Sequence, residues 1–388
     1  MVKPGYKQTE VGIIPENWDV KTLKAVAPLQ RGFDLPYSSI QEGKYPVVFS
    51  NGVGAFHNSY MVKGPGVITG RSGTIGKIHY VESNYWPHNT TLWVTDFNNN
   101  DPLYVYYLFK NIPWAIFNSG SGVPTLNRND IHDYLVAIPP QIEQEKISTM
   151  LADADSLIGS LEKQLVKKKA IKQGAMQELL AGKKRLPGFS GEWQRVRIGS
   201  MTAVFSGGTP NTSEPLFWGG TIPWMNSGEL NLKIVSQVQG RITKAGMDSS
   251  SAHFVPAECV LIGLAGQGKT RGTAAFNTFP LCTNQSIAAI YPNPKKFNSK
   301  FLYYKMDTQY EKLRELSSGD GGRGGLNKKL ILDYEVAIPK SVDEQAAIAT
   351  ALTEMDDEIE NMKKKLAKYR QVKQGMMQQL LTGNIRLV

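Results

Sequence analysis

The chain has 388 residues, 41% of them hydrophobic, so it is too long for one ordinary domain and has enough apolar material for two separate cores. Its formal net charge of +10 and its pI near 9.3 favour a polyanionic partner such as nucleic acid, although many basic proteins bind none. The two cysteines and five scattered histidines lack metal-ligand spacing, and neither a signal peptide nor an uncharged apolar run of roughly 18 residues is present, so we expect a cytoplasmic protein with no metal site and no membrane span.

The first predicted domain, residues 1–141, is rich in Gly, Pro, Asn and aromatic residues. Residues 64–78 (GPGVITGRSGTIGKI) have the pattern of a Gly-rich hairpin, and residues 90–97 (TTLWVTDF) that of a strand. Residues 104–111 (YVYYLFKN) are an aromatic stretch that we expect to be helical. The sequence therefore predicts a mixed α/β domain of about 150 residues.

A long helix is predicted for the next segment, residues 142–186. Its apolar residues recur in alternating steps of four and three, which is the a/d pattern of a coiled-coil seam. The pattern begins after Pro140 and ends at Gly182, as helix punctuation predicts. We assign its packing face to Ile147, Leu151, Ile158, Leu161 and Leu165.

The remaining chain has the same order, with a second domain at residues 187–341 and a second helix at residues 342–388. Residues 286–292 (SIAAIYP) are strand-like, and residues 301–306 (FLYYKM) are aromatic and helical. The second helix follows Pro339 and ends at Gly383. Its packing face consists of Ile348, Leu352, Ile359, Met362 and Leu366.

The two helices have one narrow apolar stripe each, and packing them on each other buries both stripes. Because the first helix leads into the second domain and the second helix leaves it, pairing within the chain makes them antiparallel. Each is a rod on the order of 55 Å. The predicted fold class is α+β, with two mixed α/β domains separated by two long antiparallel helices that form a coiled coil, as a pseudo-two-fold internal repeat. Dimerisation of the helices with another chain is the alternative.

The internal repeat has a period of about 200 residues, which indicates a duplicated domain. Residues 125–139 (TLNRNDIHDYLVAIP) recur as residues 325–339 (GLNKKLILDYEVAIP), and the helical segments recur 201 places later. Upstream, Trp18 matches Trp193, residues 64–78 resemble residues 256–273, and residues 89–92 (NTTL) match residues 284–287 (NQSI).

One motif favours a different function. Residues 263–270 (GLAGQGKT) fit the phosphate-binding P-loop and follow a plausible strand. A P-loop needs a helix whose N-terminus faces the phosphates, yet residues 271–280 have no amphipathic helical pattern. Residues 330–333 (LILD) resemble a second nucleotide motif, but their counterpart in the first domain lacks the apolar run. We interpret residues 256–273 as a second Gly-rich hairpin, with a P-loop nucleotide-binding protein as the alternative.

Several segments together resemble the specificity subunits of type I restriction-modification systems. They are residues 6–18 (YKQTEVGIIPENW), 172–189 (KQGAMQELLAGKKRLPGF), 185–193 (RLPGFSGEW), 206–225 (SGGTPNTSEPLFWGGTIPWM) and the LN…VAIP…EQ junctions. The resemblance covers essentially the whole chain, in the family's order. It implies two target-recognition domains that read a bipartite double-stranded DNA site, as dimeric DNA readers match their half-site spacing.

The resemblance also implies the partners. Two methyltransferase subunits grip the helical spacer, and motor endonuclease subunits, where present, add ATP-dependent cleavage. S-adenosylmethionine, ATP and Mg are expected only in those subunits. The N-P-P-Y and F-x-G-x-G motifs that would give this chain its own methylation chemistry are absent from its sequence. We therefore expect a non-catalytic chain that directs adenine methylation. A coiled-coil scaffold without DNA affinity is a further alternative, which salt-dependent DNA binding distinguishes.

Candidate DNA contacts lie in the Gly-rich hairpins and in neighbouring turns, where glycine permits close backbone approach and polar side chains meet phosphates or base edges. Most of these residues are also typical turn formers or strand caps, and a structural role is the alternative for each one. In the first domain they are Arg71, Ser72, Thr74, Lys77, Asn89, Thr90, Thr91, Ser121, Asn127 and Arg128. In the second they are Thr209, Asn211, Asn226, Ser227, Lys269, Thr270, Arg271, Asn284, Gln285, Ser286 and Arg323.

Three basic runs lie on or at the ends of the helices, at residues 167–169, 183–185 and 363–365. Such runs usually form a solvated face. Contact with the phosphates of the DNA spacer and docking of a methyltransferase subunit are the alternatives.

Overall fold

The computed structural model describes residues 2–117, 123–266, 269–316 and 325–387. The chain forms two compact units, one of Met1–Lys163 with Lys363–Val388 and one of Gln164–Met362. Each unit contains one mixed domain and parts of both long helices. The predicted limits of residues 1–141, 142–186, 187–341 and 342–388 divide the chain differently, and they stay a prediction.

The first unit is built on a four-stranded sheet with the order Leu29–Arg31, Thr91–Val94, Gly66–Gly70, Ile78–Val81. A three-stranded sheet has the order Gly52–His57, Tyr45–Phe49, Trp86–Pro87, and two-stranded sheets join Tyr6–Thr9 to Gly12–Pro15 and Asp19–Thr22 to Leu135–Ile138. The helices are Leu23–Val26, Pro102–Asn111 and Arg128–His132, with 3-10 turns at Tyr37–Ser39 and Trp114–Phe117.

The second unit has a five-stranded sheet with the order Val204–Ser206, Ile287–Ile290, Val260–Gly263, Ala274–Asn277, Ile234–Val235. A four-stranded sheet has the order Gly240–Ile242, Trp218–Met225, Leu281–Thr283, Phe254–Val255, and Gln194–Arg197 pairs with Glu335–Ile338. The helices are Ile198–Met201, Lys244–Asp248, Ser299–Asp307, Tyr310–Leu316 and Lys328–Asp333, with 3-10 turns at Pro215–Phe217 and Ser227–Leu232.

Both aromatic stretches form the predicted helices, and a side chain caps the start of each. Asp101 accepts from the amides of Leu103 and Tyr104, and Asn298 accepts from the amide of Phe301. Their aromatic residues are largely buried in the two domain cores. Both Gly-rich hairpins are also confirmed, since Gly66–Gly70 pairs antiparallel with Ile78–Val81, and Val260–Gly263 with Ala274–Asn277.

The long helices run over Gln141–Leu179 and Val342–Leu380. Each stops three residues before the predicted glycine, because Gly182 and Gly383 adopt positive φ angles of 69° and 72° and their amides bond to the carbonyls of Leu179 and Leu380. Among the described residues, those beyond the two helix ends in the predicted spacer segments are turns or irregular. No helix in the described part of the chain is both long and apolar enough to cross a membrane.

Ion pairs show that the two helices run antiparallel within each unit. In the first unit Lys373 pairs with Asp155 and Arg370 with Glu162, both at 2.5 Å. In the second unit Lys172 pairs with Asp356 at 2.5 Å, and Lys168 with Glu358. In both cases residue numbers rise along one helix as they fall along the other. The predicted α+β class with two long antiparallel helices is confirmed.

The predicted packing face is only partly a helix-to-helix seam. Ile147 and Leu151 pack in the core of the first domain, and Ile348 and Leu352 in that of the second, because the start of each helix lies on its own domain. Ile158, Leu161, Ile359 and Leu366 are also buried, whereas Leu165 and Met362 are half-buried.

Residues that recur in the two halves of the sequence form the same junction in both units. Glu143 accepts from Arg386 at 2.7 and 2.8 Å, and its counterpart Glu344 pairs with Arg185. The hydroxyls of Tyr107 and Tyr304 donate to Asp155 and Asp356 at 2.9 and 2.8 Å. The side-chain amides of Gln144 and Gln345 donate to the carbonyls of Pro139 and Pro339, at 2.9 Å each. Many of the residues that recur in the sequence are therefore those that hold each domain on the helices.

Candidate nucleic-acid interface

An open cleft in the first unit brings together part of the predicted interface. Three elements form it: the end of strand Leu29–Arg31, the turn after strand Gly66–Gly70, and the start of helix Arg128–His132. Its polar lining residues are Gln30, Arg31, Asp34, Arg71, Thr125, Asn127 and Arg128. Three arginines on one cleft give it the positive character that phosphate binding requires.

Backbone hydrogen bonds fix the cleft geometry. The carbonyl of Thr90 accepts from the amides of Arg71 and Ser72 at 2.8 and 3.2 Å, and the carbonyl of Arg71 accepts from the amide of Leu126 at 2.8 Å. Asn127 then caps the helix that starts at Arg128. The turn, the strand and the helix are thereby held at one place, so their side chains face the same cleft.

Side-chain contacts extend the cleft to Asn89. The Asn89 amide donates to Asp34, and Asp34 also pairs with Arg31 at 2.9 Å. The guanidinium of Arg71 donates to the carbonyl of Asn89 at 3.5 Å. The structure thus groups the predicted residues Arg71, Ser72, Asn89, Thr90, Asn127 and Arg128.

Other predicted residues of the first domain lie elsewhere. Thr74 lines a neighbouring cleft with Trp114, and the ammonium of exposed Lys77 donates to the carbonyl of Asn51 at 2.6 Å. Thr91 is fully buried and its hydroxyl donates to the carbonyl of His88 at 2.7 Å, so the predicted base contact at Thr91 is wrong. Ser121 lies outside the described residues.

In the second unit several predicted residues have structural partners. Asn226 caps the turn Ser227–Leu232 and its amide donates to Glu229 at 3.1 Å, while Asn211 and Asn284 accept backbone amides of residues two places later. Thr209 and Gln285 bond to each other at 2.5 Å on the surface. Lys269 is exposed, Ser227, Thr270, Arg271 and Ser286 are half-buried, and Arg323 lies outside the described residues.

Strand register corrects the predicted correspondence between the domains by one residue. His88 and Asn284 donate their amides to Val48 and Met225 at equivalent parallel strand pairs, and Arg71 and Leu264 donate theirs to Thr90 and Ser286. Asn89 therefore corresponds to Gln285, not to Asn284 as the letters NTTL and NQSI suggest. The contacts Asn89–Asp34 and Gln285–Thr209 then occupy the same place in the two domains.

The register also identifies residues that the sequence prediction missed. Gln30, Arg31 and Asp34 lie at the position of Phe205, Ser206 and Thr209, because Leu29 and Val204 pair with equivalent strand residues. Thr209 is one of the predicted residues, so the sequence repeat could have identified Asp34, its counterpart, as well. The same repeat makes Asn327, a helix cap like Asn127, and exposed Lys328 the counterparts of Asn127 and Arg128.

The P-loop interpretation does not fit the described residues that follow Lys269. A turn leads directly into strand Ala274–Asn277, which pairs antiparallel with Val260–Gly263, where a P-loop needs a helix. Residues 330–333, the second nucleotide motif, belong to helix Lys328–Asp333 and not to a strand. In the described part of the chain no group of three or more His, Cys, Asp or Glu side chains could hold a metal ion.

Burial favours the neutral form of two histidines beside the cleft. Burial lowers the pKa of His88, and nearby Arg31 lowers it further, against a backbone hydrogen bond and Asp34 that raise it. Burial and the charges of Arg128 and Lys24 lower the pKa of His132, whose Nε2 accepts from the amide of Leu29 at 3.0 Å. His132 therefore anchors the strand that carries Arg31.

The basic runs differ in availability. Arg185 is engaged with Glu344 and Lys168 with Glu358. Lys167, Lys169, Lys183 and Lys184 are exposed. In the runs 167–169 and 183–185, only part of the run could therefore contact a partner without breaking an ion pair.

Comparisons with known proteins identify the family. The model of the type I restriction modification DNA specificity domain matches residues 15–172 and 190–369. The putative type I restriction enzyme MjaX specificity subunit of Methanocaldococcus jannaschii is 24% identical over 422 positions, which cover 98% of this chain and 97% of that protein.

Solved structures show the same fold at low identity. The S subunit of a type I restriction-modification system from M. genitalium has a TM-score of 0.66 at 15% identity, covering 94% of this chain and 96% of the other. A chain from a structure concerning complex assembly and conformational transition of the type I R-M system has a TM-score of 0.55 at 17% identity, covering 96% and 99%. Because the family model matches both halves of the repeat, the chain belongs to the family of type I restriction-modification DNA specificity domains.

Proposed function

We propose that this chain recognises a bipartite double-stranded DNA site, one half-site for each unit, and directs adenine methylation to it. The observation that carries the proposal is the repeated cleft position. In both domains an Asn-capped helix begins with a cationic residue, Arg128 or Lys328, next to the strand end that carries Asp34 or Thr209. A duplicated scaffold that presents a cation at the same place in both domains suits a DNA site read in two halves.

The proposal assigns the chemistry to partner subunits. Two methyltransferase subunits would bind S-adenosylmethionine, and motor endonuclease subunits, where present, would bind ATP and Mg. The chain itself would be a non-catalytic cytoplasmic protein. Support comes from the relatives, which are named as specificity subunits of restriction enzymes.

Methylation mapping tests this function directly. The full chain is co-expressed with its methyltransferase partner in a host that lacks other adenine methylation, and methylated adenines are mapped across the host DNA. We expect methylation at one split sequence, and none when either chain is omitted. Methylation without this chain, or methylation that follows no split sequence, would contradict the proposal.

Binding to phosphates is tested by salt dependence. Arg71→Ala and Arg128→Ala should each weaken DNA binding by the full chain and lower the slope of log K against log salt by about 0.9 per lost phosphate contact. Lys63→Ala, which changes an exposed lysine outside the cleft, is the matched control. A scaffold without DNA affinity would show no salt-dependent binding at all.

A further inference from the structure

The inference concerns an aromatic column that rises from the cleft of the first unit. Tyr37 stacks on Phe49 with ring centroids 5.7 Å apart and planes 20° apart, and Phe49 packs on His88 at 4.4 Å. His88 in turn contacts the hydroxyl of Thr90 at 3.1 Å. These three rings, which we name the aromatic column, thus lead from the cleft to the surface.

The column ends in an aromatic ring that the fold leaves in solvent. Tyr37 is 72% exposed, and Phe49, on which it stacks, is half-buried. Tyr37 follows the cleft residue Asp34 by three positions in the chain. An exposed, stacked ring beside polar cleft residues is typical of a binding surface and adds nothing evident to the core.

Charge and shape around the column suit DNA. Arg31 and Arg71 lie on its cleft side. The ammonium of Lys77 donates to the carbonyl of Asn51, two residues after Phe49. Phe49 and Asn51 belong to the tip of the hairpin formed by Tyr45–Phe49 and Gly52–His57, and a two-stranded ribbon of this kind fits into a major groove.

The second unit has no such column at the equivalent positions. By strand register Phe49 and His88 correspond to Asn226 and Asn284, which are hydrogen-bonding residues. Amide side chains read base edges by hydrogen bonds, whereas aromatic rings contact the C5 methyl group of thymine. At equivalent positions of the two domains, the first domain therefore has aromatic rings and the second has amide side chains.

We propose that Tyr37, supported by Phe49 and His88, is a specificity-determining residue that reads a thymine methyl group in the half-site of the first unit. This inference rests on the proposed function and deepens it. It adds an aromatic base contact, which none of the polar candidate residues supplies.

The test uses the full chain with its methyltransferase partner and a synthetic duplex that carries the mapped site. In separate duplexes the thymines of one half-site are replaced by deoxyuridine, which lacks only the methyl group. We expect the replacement in one half-site, and not in the other, to weaken binding by the wild-type complex about fourfold. Tyr37→Ala should weaken binding to the unmodified duplex about five- to tenfold and be insensitive to the replacement.

Control variants separate recognition from folding. Tyr37→Phe retains the ring and should bind like the wild type. Phe56→Ala removes another exposed aromatic residue of the same hairpin, 53% exposed and outside the column, and should leave binding and its thymine dependence unchanged. Neither variant should alter the slope of binding against salt, since no phosphate contact is lost.

The outcomes distinguish this inference from the proposed function. If the wild type binds the mapped site specifically but tolerates deoxyuridine in both half-sites, the inference is overturned and the function stands. The same holds if Tyr37→Ala remains as thymine-dependent as the wild type. If the wild-type complex shows no preference for the mapped site, the proposed function itself fails.

Discussion

The junction at Glu143 gives the sharpest stability prediction. Its carboxylate is 4% exposed and accepts from Arg386 at 2.7 and 2.8 Å and from the indole of Trp18 at 3.0 Å. Glu143→Gln removes the charge but keeps the shape, so it leaves the Arg386 guanidinium without its counter-ion. Removing one partner of a buried ion pair destabilises by about 3–5 kcal/mol. Because the Arg386 side chain keeps 20% exposure, we expect the lower end, about 3 kcal/mol.

Urea unfolding at pH 7, followed by tryptophan fluorescence, measures this change because Trp18 is itself at the junction. Asp19→Asn is the matched control in the same unit, since Asp19 and Lys21 form a pair at 3.3 Å with side chains 68% and 46% exposed. Its loss should cost about 0–1 kcal/mol. Equal midpoints for Glu143→Gln and Asp19→Asn would refute the argument that burial makes the Glu143 pair important.

The same pair predicts a dependence on pH. Burial alone would raise the pKa of Glu143, but hydrogen bonds from Arg386 and Trp18 lower it below its ordinary value near 4.5. A carboxyl whose pKa is lowered in the folded state stabilises the fold above the unfolded value, and this stability is lost as pH falls through the folded value. Acid unfolding below pH 4.5 should therefore be steeper in the wild type than in Glu143→Gln.

Three further predictions follow from other contacts. Lys269→Ala should leave ATP hydrolysis by the assembled complex intact while weakening methylation; selective loss of ATP turnover would support the P-loop interpretation instead. Protonation of His132 Nε2 breaks its hydrogen bond from the Leu29 amide, and the pKa of His132 is lowered in the folded state. The free energy of unfolding should therefore be highest above about pH 6.5 and decline below it. Unfolding measured from pH 7.5 to 5 should show a smaller decline in His132→Gln. Lys305 is 8% exposed and donates to the carbonyl of Leu180 at 2.7 Å, and its counterpart in the first unit is Leu108. Lys305→Leu should therefore change the free energy of unfolding by about 1 kcal/mol or less. A loss near about 3 kcal/mol would show that the buried charge is essential.

The duplication, the long helices and both hairpins could be predicted because each is encoded locally. Helix punctuation, the four-three apolar steps and the glycine turns all lie within short windows of sequence. The burial of Thr91 could not be read in this way. Its strand lies between Leu29–Arg31 and Gly66–Gly70 and is covered on both faces, so inward and outward positions do not alternate in polarity.

The candidate interface was harder to predict because long-range contacts assemble it. Asn89 and Asp34 are 55 residues apart, and nothing in either segment indicates the contact. The one-residue error between Asn89 and Asn284 has a similar cause. Matching letters favoured one alignment, whereas hydrogen bonds to Val48 and Met225 set another. A one-residue slip changes which side chain faces the cleft, so only the strand register could correct it.

The two kinds of position in the repeat imply a division of labour. Where the domains must attach to the helices, the same residues recur, as at Glu143 and Glu344 or Asp155 and Asp356. At the strand side of the proposed cleft, the residues at matched register differ, as at Asp34 and Thr209. A scaffold that reads two unlike half-sites must keep the first kind of position and vary the second. On this reasoning, exchanging the residues that differ at matched register should alter the bases read while leaving the attachment of the domains intact.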